Sequence, residues 1–202
     1  MARKLEDSVV VITGASSGIG RATALAFAQE HAAVVLAARR EGPLRDAAAA
    51  CDAAGGRALA VPTEVADETS MQRLAQAAVG TFGRIDVWIN NAGVGLFGKI
   101  EEVPMDAVRR VIDINLLGYV LGARVAIPIF KAQGGGVLIN NASILGRLTQ
   151  PFTSAYVASK HAVLGLTEAL RLELRDTDIQ VCAVLPAAID TPFYQHGANY
   201  TG

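Results

Sequence analysis

The 202-residue sequence predicts a doubly wound α/β fold of the Rossmann type, three layers deep, with a parallel sheet between two layers of helices. Three observations predict it. Short runs of Val, Ile, Leu and Ala alternate with longer segments of helical periodicity. Most of those runs are continuous rather than alternating, as strands covered on both faces require. A glycine-rich turn, Gly14-Ala15-Ser16-Ser17-Gly18-Ile19-Gly20, joins the first run to the first helical segment.

The first strand is read at 9–13, where Val9-Val10-Val11-Ile12 runs into the turn. An Ala-rich helix follows over 19–30, then a strand over 33–38 and a helix over 44–54. Residues 57–61 and 86–90 read as strands on either side of a helix over 68–82. Residues 103–133 carry one long helix, 136–142 a strand, 154–176 a helix and 179–185 the last strand. Right-handed crossovers connect such units. No composition break, low-complexity tract or repeat divides the chain, so residues 1–202 are expected to form a single domain.

Hydrophobic residues make up 51% of the chain, charged residues 18%, and the net charge is −1. This is a globular composition with no basic surplus that would call for nucleic acid or an anionic membrane. The apolar stretch 114–130 contains Asn115, Arg124 and Pro128 and is expected to be a buried or interface helix rather than a membrane span. The first seven residues lack an apolar core of the secretory kind. Cys51 and Cys182 lie far apart with no CxxC spacing, so reduced thiols, no metal site and a cytoplasmic location are expected.

A ligand of a doubly wound sheet sits at the carboxyl ends of the strands. Glycines in the first βα turn let the chain bend tightly and bring a phosphate to the free N–H groups of the helix N-terminus. Gly20 would let helix and strand pack closely. The turn has neither the G-x-G-x-x-G spacing nor a P-loop lysine, and it favours a dinucleotide over a transferred phosphoryl group. The second strand ends Ala38-Arg39-Arg40-Glu41. No acid stands there for a ribose 2′-hydroxyl, whereas the guanidinium groups of Arg39 and Arg40 suit a 2′-phosphate. A charge-assisted contact of roughly 1.5–3 kcal/mol would favour NADP(H) over NAD(H) by about one to two decades. A solvated basic loop, partly paired with Glu41, is the bland alternative.

Tyr156 and Lys160 are four apart on a helix and share a face. An ammonium beside a phenol lowers the phenol's pKa and prepares it to exchange a proton with a carbonyl or alcohol. Ser143 follows a strand and so stands at the pocket end of the sheet; alone it would be a capping serine. Asn115 lies in an apolar helical stretch and is either a satisfied core amide or the anchor of a water.

On these residues the chain resembles the short-chain dehydrogenase/reductase family from about Leu5 to Pro192. The T-G-x-x-x-G-x-G motif is Thr13 to Gly20, N-N-A-G is Asn90-Asn91-Ala92-Gly93, and Y-x-x-x-K is Tyr156 and Lys160, with Ser143 thirteen residues before the tyrosine. The resemblance implies hydride transfer between a nicotinamide and a carbonyl or secondary alcohol. Tyr156 would be the general acid/base, Lys160 the ribose-binding partner that lowers its pKa, Ser143 the holder of the reacting oxygen, and Asn115 the anchor of a relay water. It further implies cofactor contacts from Gly14, Ser16, Ser17, Gly18, Ile19, Gly20, Arg39, Arg40, Glu64, Val65, Asn91, Ala92, Gly93, Tyr156, Lys160, Pro186, Ile189 and Thr191.

Four features depart from the family pattern: Ala142 replaces a serine, Glu64 an aspartate and Ala187 a glycine beside the nicotinamide, and the chain stops at Gly202. The resemblance therefore implies that a last helix and edge strand are missing and that Tyr194, His196 and Tyr200 either begin a substrate lid or form a tail. It also implies a homodimer or homotetramer through the helices of 103–133 and 154–176. His31 and His161 read as a helix-end and a helix-surface residue. The competing readings are a cofactor-sensing regulator without chemistry and a sugar epimerase or dehydratase.

Overall fold

The computed structural model describes residues 4–200, apart from the side chain of His196, which lies outside the described residues. In chain order the strands are β1 (Val9–Thr13), β2 (Ala33–Ala38), β3 (Arg57–Pro62), β4 (Val87–Asn90), β5 (Leu96–Phe97), β6 (Gly136–Asn141), β7 (Ile179–Val184) and β8 (Ala198–Asn199). The helices are α1 (Gly18–Gln29), α2 (Glu41–Ala53), α3 (Glu68–Phe82), α4 (Met105–Ile112), α5 (Gly118–Gln133), α6 (Ser154–Glu173) and α7 (Phe193–His196). Six strands pair in parallel in the order β3-β2-β1-β4-β6-β7, and β5 and β8 make a separate two-stranded pair.

The alternation of side chains along β1 shows why its sequence is an unbroken apolar run. Val9 and Val11 join Ala33, Val35, Met71, Leu74, Trp88, Ala126 and Phe130 in the core under α3, α5 and α6. Val10 and Ile12 point the other way, to Val34, Leu36 and the α1 and α2 residues Ala24, Ala28, Leu44, Ala47 and Cys51. Both faces of β1 and β2 are covered, and each buried Val, Ile or Leu contributes about 1.5–3 kcal/mol. The second of these cores reaches Ile89 of β4 and Ile139 of β6. At the sheet edge Gln180, Cys182 and Val184 of β7 are exposed, so β7 alternates where a run buried on both faces was expected.

Helix ends follow local chemistry. Asp67 caps α3 by accepting from the Ser70 N–H at 2.7 Å, and Gly83 ends it in a left-handed conformation at φ 80°. Helix α2 starts at Glu41, before the expected 44, because Pro43 falls in the first turn, where its missing N–H costs no hydrogen bond. The long helix expected over 103–133 is α4 and α5 joined by a π-helical turn, Asp113–Leu117. Residues Met105–Gln133 are long and apolar enough to cross a membrane by length and composition. Their inner face, including Val111, Ile114, Tyr119, Ala126 and Phe130, is buried in the protein core. His31 ends α1 at φ 62° with its ring against the Gly55 carbonyl, His161 is an exposed residue of α6, and both cysteines are free.

Candidate active site

Strand order reverses beside β1: β2 lies on one side and β4 on the other. A crevice opens at such a switch point. Here it is a cleft of about 680 Å³ whose wall runs from the β1–α1 turn to the start of α6.

The β1–α1 turn bends through left-handed glycines, Gly14 at φ 67° and Gly18 at φ 52°. A Cβ on Gly20 would overlap the Gly14 carbonyl and the Asn91 amide, which confirms the expected close approach of helix and strand. Asn91 ties the neighbouring turns together. Its Nδ2 donates to the Thr13 carbonyl at 2.8 Å, and its Oδ1 accepts from Asn141 Nδ2 at 2.7 Å. Thr13 Oγ1 accepts from the Asn91 and Ala92 N–H groups at 2.9 and 3.1 Å. Ser16, Ser17, Ile19 and Gly93 complete this part of the wall.

Ala38, Arg39, Arg40 and Glu64 line the far end of the cleft. Glu41, the partner that the bland alternative gave to the basic pair, bonds Arg45 at 3.1 Å. Glu64 accepts from Arg110 at 2.8 Å and lies 4.0 Å from Arg39. Burial works to raise the Glu64 carboxyl, but the Arg110 hydrogen bond, the Ala66 N–H and the charges of Arg110 and Arg39 outweigh it and hold the group below its ordinary value. Val65 is buried beside Gly118.

At the opposite end, Ser143 caps a 3₁₀ turn, Ile144–Gly146, and its Oγ accepts from the Leu145 N–H at 3.1 Å. Ser143 and Tyr156 both face the cleft. Lys160 is 4% exposed and donates to the Asn141 carbonyl at 2.8 Å and to the Tyr119 hydroxyl at 3.4 Å. Tyr119 donates to that same carbonyl at 2.8 Å. Burial without a carboxylate partner pulls the Lys160 ammonium down to about 7.

These contacts correct one expectation. Tyr156 sits above the ordinary phenol value: burial raises it, the Ser143 hydroxyl lowers it in part, and Tyr194 raises it further. The reason is geometric, since the Lys160 ammonium is turned to Asn141 and Tyr119 and lies 5.7 Å from the Tyr156 ring centroid.

Asn115 stands in the π-helical turn, fully buried. Its Oδ1 accepts from the Val94 N–H at 2.9 Å, and its Nδ2 donates to the Val94 carbonyl at 3.0 Å and to Ser159 Oγ at 3.3 Å. Both amide hydrogens are committed, and a lone pair on Oδ1 is left for a water. Beyond β7, the Pro186 carbonyl accepts from the Ile144 N–H at 2.9 Å. Pro186, Ile189 and Thr191 line the cleft, and Thr191 packs against Gly18. Ala187 fits this loop without a positive φ. Tyr194 lines the cleft as well; Tyr200 packs on Gly98 behind the lining residue Phe97 and does not itself line the cleft, and His196 falls outside the described side chains.

The cleft thus gathers every expected site residue except Asn115, which stands behind its wall, Gly20, whose packing shapes it, and neither is displaced from its expected surroundings. Sequence reasoning missed Tyr119, Asn141 and Arg110. The first carried a signal: Tyr119 is four residues after Asn115, one turn along the same face.

A model of the family described as short chain dehydrogenase matches residues 8–199. The chain is 39% identical over 201 residues to the uncharacterized oxidoreductase YxnA of Bacillus subtilis (strain 168), covering 98% of this chain and 56% of that protein. It therefore spans little more than half the length of that relative. It is 38% identical over 193 residues to a cyclohexanol dehydrogenase of Acinetobacter sp. (strain SE19), covering 95% of this chain and 77% of that one. The crystal structure of a short chain dehydrogenase/reductase from Burkholderia phymatum in complex with NAD matches with a TM-score of 0.93 at 36% identity, over 96% of this chain and 70% of the other.

Proposed function

The chain belongs to the short-chain dehydrogenase family, and from that premise we propose that it is an NADP(H)-dependent oxidoreductase acting on a carbonyl compound or the matching secondary alcohol. The observation that carries the reading is the convergence of Ser143, Tyr156 and Lys160 on the same cleft that begins at the glycine turn.

The residues present fit a dinucleotide. Left-handed Gly14 and Gly18 clear the N-terminus of α1 for a pyrophosphate. Asn141 Oδ1, a buried acceptor on the cleft wall with no hydrogen-bond partner, suits a hydroxyl or amide donor of such a ligand. The cofactor, when bound, supplies or accepts a hydride at its nicotinamide ring. Ser143 holds the substrate oxygen, and Tyr156 gives that oxygen its proton in reduction or takes it back in oxidation. Lys160, which is buried beside Tyr156, holds the ribose. Asn115 fixes the loop at Val94 and offers its remaining lone pair to a relay water.

Arg39 and Arg40 support the choice of NADP(H), since β2 ends in Ala38 rather than an acid and Glu41 is taken by Arg45. The test is a fluorescence titration of the purified chain with NADPH and, in parallel, NADH. NADPH is expected to bind about 10- to 100-fold more tightly, and Arg39→Ala to remove most of that preference. Equal affinities would overturn the 2′-phosphate assignment.

Association into a homodimer belongs to the same proposal, as does a cytoplasmic location. Leu117, which ends the π-helical turn before α5, is 46% exposed and Leu172 of α6 is 69% exposed, and these helices are the expected contact faces. Light scattering at micromolar concentration should give at least twice the chain mass; a stable monomer would refute the association.

A further inference from the structure

Beyond the hydroxyls of Ser143 and Tyr156 the cleft wall is largely apolar and uncharged, formed mainly by Val94, Phe97, Ile144, Leu145, Phe193 and the ring of Tyr194. The Phe193 ring packs 5.7 Å from that of Tyr156, tilted by 59°. Tyr194 meets Phe193 edge-on at 5.5 Å, and Phe97 meets Tyr194 at 6.2 Å. Phe97 is fixed from behind. The β5–β8 pairing holds its backbone, the Tyr200 N–H donates to its carbonyl at 2.7 Å, and a Cβ on Gly95 or Gly197 would stand 2.9 or 2.6 Å from its ring.

No ionic side chain stands among these rings in the cleft lining. Among the described residues that line the cleft, the ionic side chains are Arg39, Arg40 and Glu64 at the far end, and Lys160, which is buried against the Asn141 carbonyl. The polar groups nearby are neutral: Thr153 Oγ1 donates to the Gln150 carbonyl at 2.8 Å, and the Gln150 amide and the Tyr194 hydroxyl carry no charge to balance an anion.

Resting on the dehydrogenase reading above, we propose that the substrate is a neutral cyclic secondary alcohol or its ketone, seated among Phe97, Phe193 and Tyr194 with no charged group on the ring. A rigid ring fills an aromatic-walled slot without losing rotamer freedom. A carboxylate on the ring carbon opposite the carbonyl would be stripped of water against Phe97 and Tyr194 with no cation to meet it.

The experiment compares 4-methylcyclohexanone with 4-oxocyclohexanecarboxylate at saturating NADPH. The methyl ketone is expected to have a kcat/KM about 100-fold higher, the factor that a few kcal/mol of unpaired burial produces. Phe97→Arg should cut that ratio to about tenfold or less by giving the carboxylate a partner. A ratio near one in the unmodified chain, or a preference for the carboxylate, overturns the proposal. A second readout does not depend on turnover: saturation-transfer NMR of both ketones on the Tyr156→Phe protein with NADPH. Signal from the methyl ketone with little from the carboxylate supports the pocket assignment. If it comes with no turnover of any ketone by the unmodified chain, the oxidoreductase reading falls and the pocket assignment stands. Equal signals, or none from the methyl ketone, overturn the pocket assignment whatever the turnover.

Discussion

Tyr156 and Lys160 share a helix face, yet each answers to different neighbours. Burial and Tyr194 keep the proton on Tyr156, and Ser143 offsets them in part. A phenol that keeps its proton at neutral pH is ready to act as the acid in carbonyl reduction. Tyr156→Phe should leave NADPH affinity within about twofold and lower kcat by roughly 10²- to 10⁴-fold, the range for one proton-transfer group; near-normal turnover would remove the tyrosine from its role. Tyr119 works one step back. Its hydroxyl shares the Asn141 carbonyl with Lys160 and is itself an acceptor for the ammonium. Tyr119→Phe keeps the ring in its buried place and removes one of the two acceptors that fix Lys160. A loss of roughly three- to tenfold in kcat with unchanged KM is expected, because small misplacements in a preorganised site are costly; an unchanged kcat would make Tyr119 a packing residue only. Tyr156, Lys160, Ser143 and the glycines were legible in the sequence because their spacing encodes their geometry. The direction of the Tyr156 shift was not, since it depends on which acceptor the lysine chooses. Asn141 and Tyr119 supply that acceptor from β6 and α5, far apart in the chain.

At the level of elements, the sheet was readable because β1 and β2 are covered on both faces and their runs are unbroken. The two-residue strands β5 and β8 and the four-residue α7 were not, since elements this short have no period to detect. The π-helical turn under Asn115 was also hidden: it changes hydrogen-bond register without a break in apolar pattern. Yet these are the pieces that shape the substrate end of the cleft, while the regular elements carry the nucleotide end. Glycines separate the two kinds of constraint. Gly20 has helical backbone room for any residue but no space, because a Cβ would strike Gly14 and Asn91. Gly80, in α3, is exposed with nothing within 4 Å of a Cβ and no positive φ. Gly20→Val is therefore expected to cost on the order of 1–3 kcal/mol and to weaken NADPH binding. Gly80→Ala should gain about 0.5–1 kcal/mol and leave binding unchanged. Denaturant unfolding with parallel NADPH titrations checks both; a Gly20→Val protein of normal stability and affinity would refute the packing role.

Across the whole molecule, the site sets a cost that the fold must carry. Lys160 is buried beside two tyrosines and a carbonyl, with no carboxylate among its described contacts. Its pKa is about 7 in the folded chain against 10.5 as the ordinary value. Below pH 7 both folded and unfolded chains hold the proton, and the folded state bears the full penalty of the ammonium. Between pH 7 and 10.5 the unfolded chain binds more protons than the folded one, so this group adds stability as pH rises through that window. The apolar cores on both faces of the sheet supply the stability that tolerates it. Lys160→Met should therefore raise stability at pH 7 by on the order of 1–3 kcal/mol while abolishing turnover. The gain should be largest at or below pH 7 and shrink toward pH 9.5, before the ordinary tyrosine range is reached. Paired calorimetric melts of the two proteins from pH 6 to pH 9.5 measure this directly. A difference that stays constant with pH would mean that the lysine is solvated in the folded chain, and that its approach to Tyr156 rests on something other than burial.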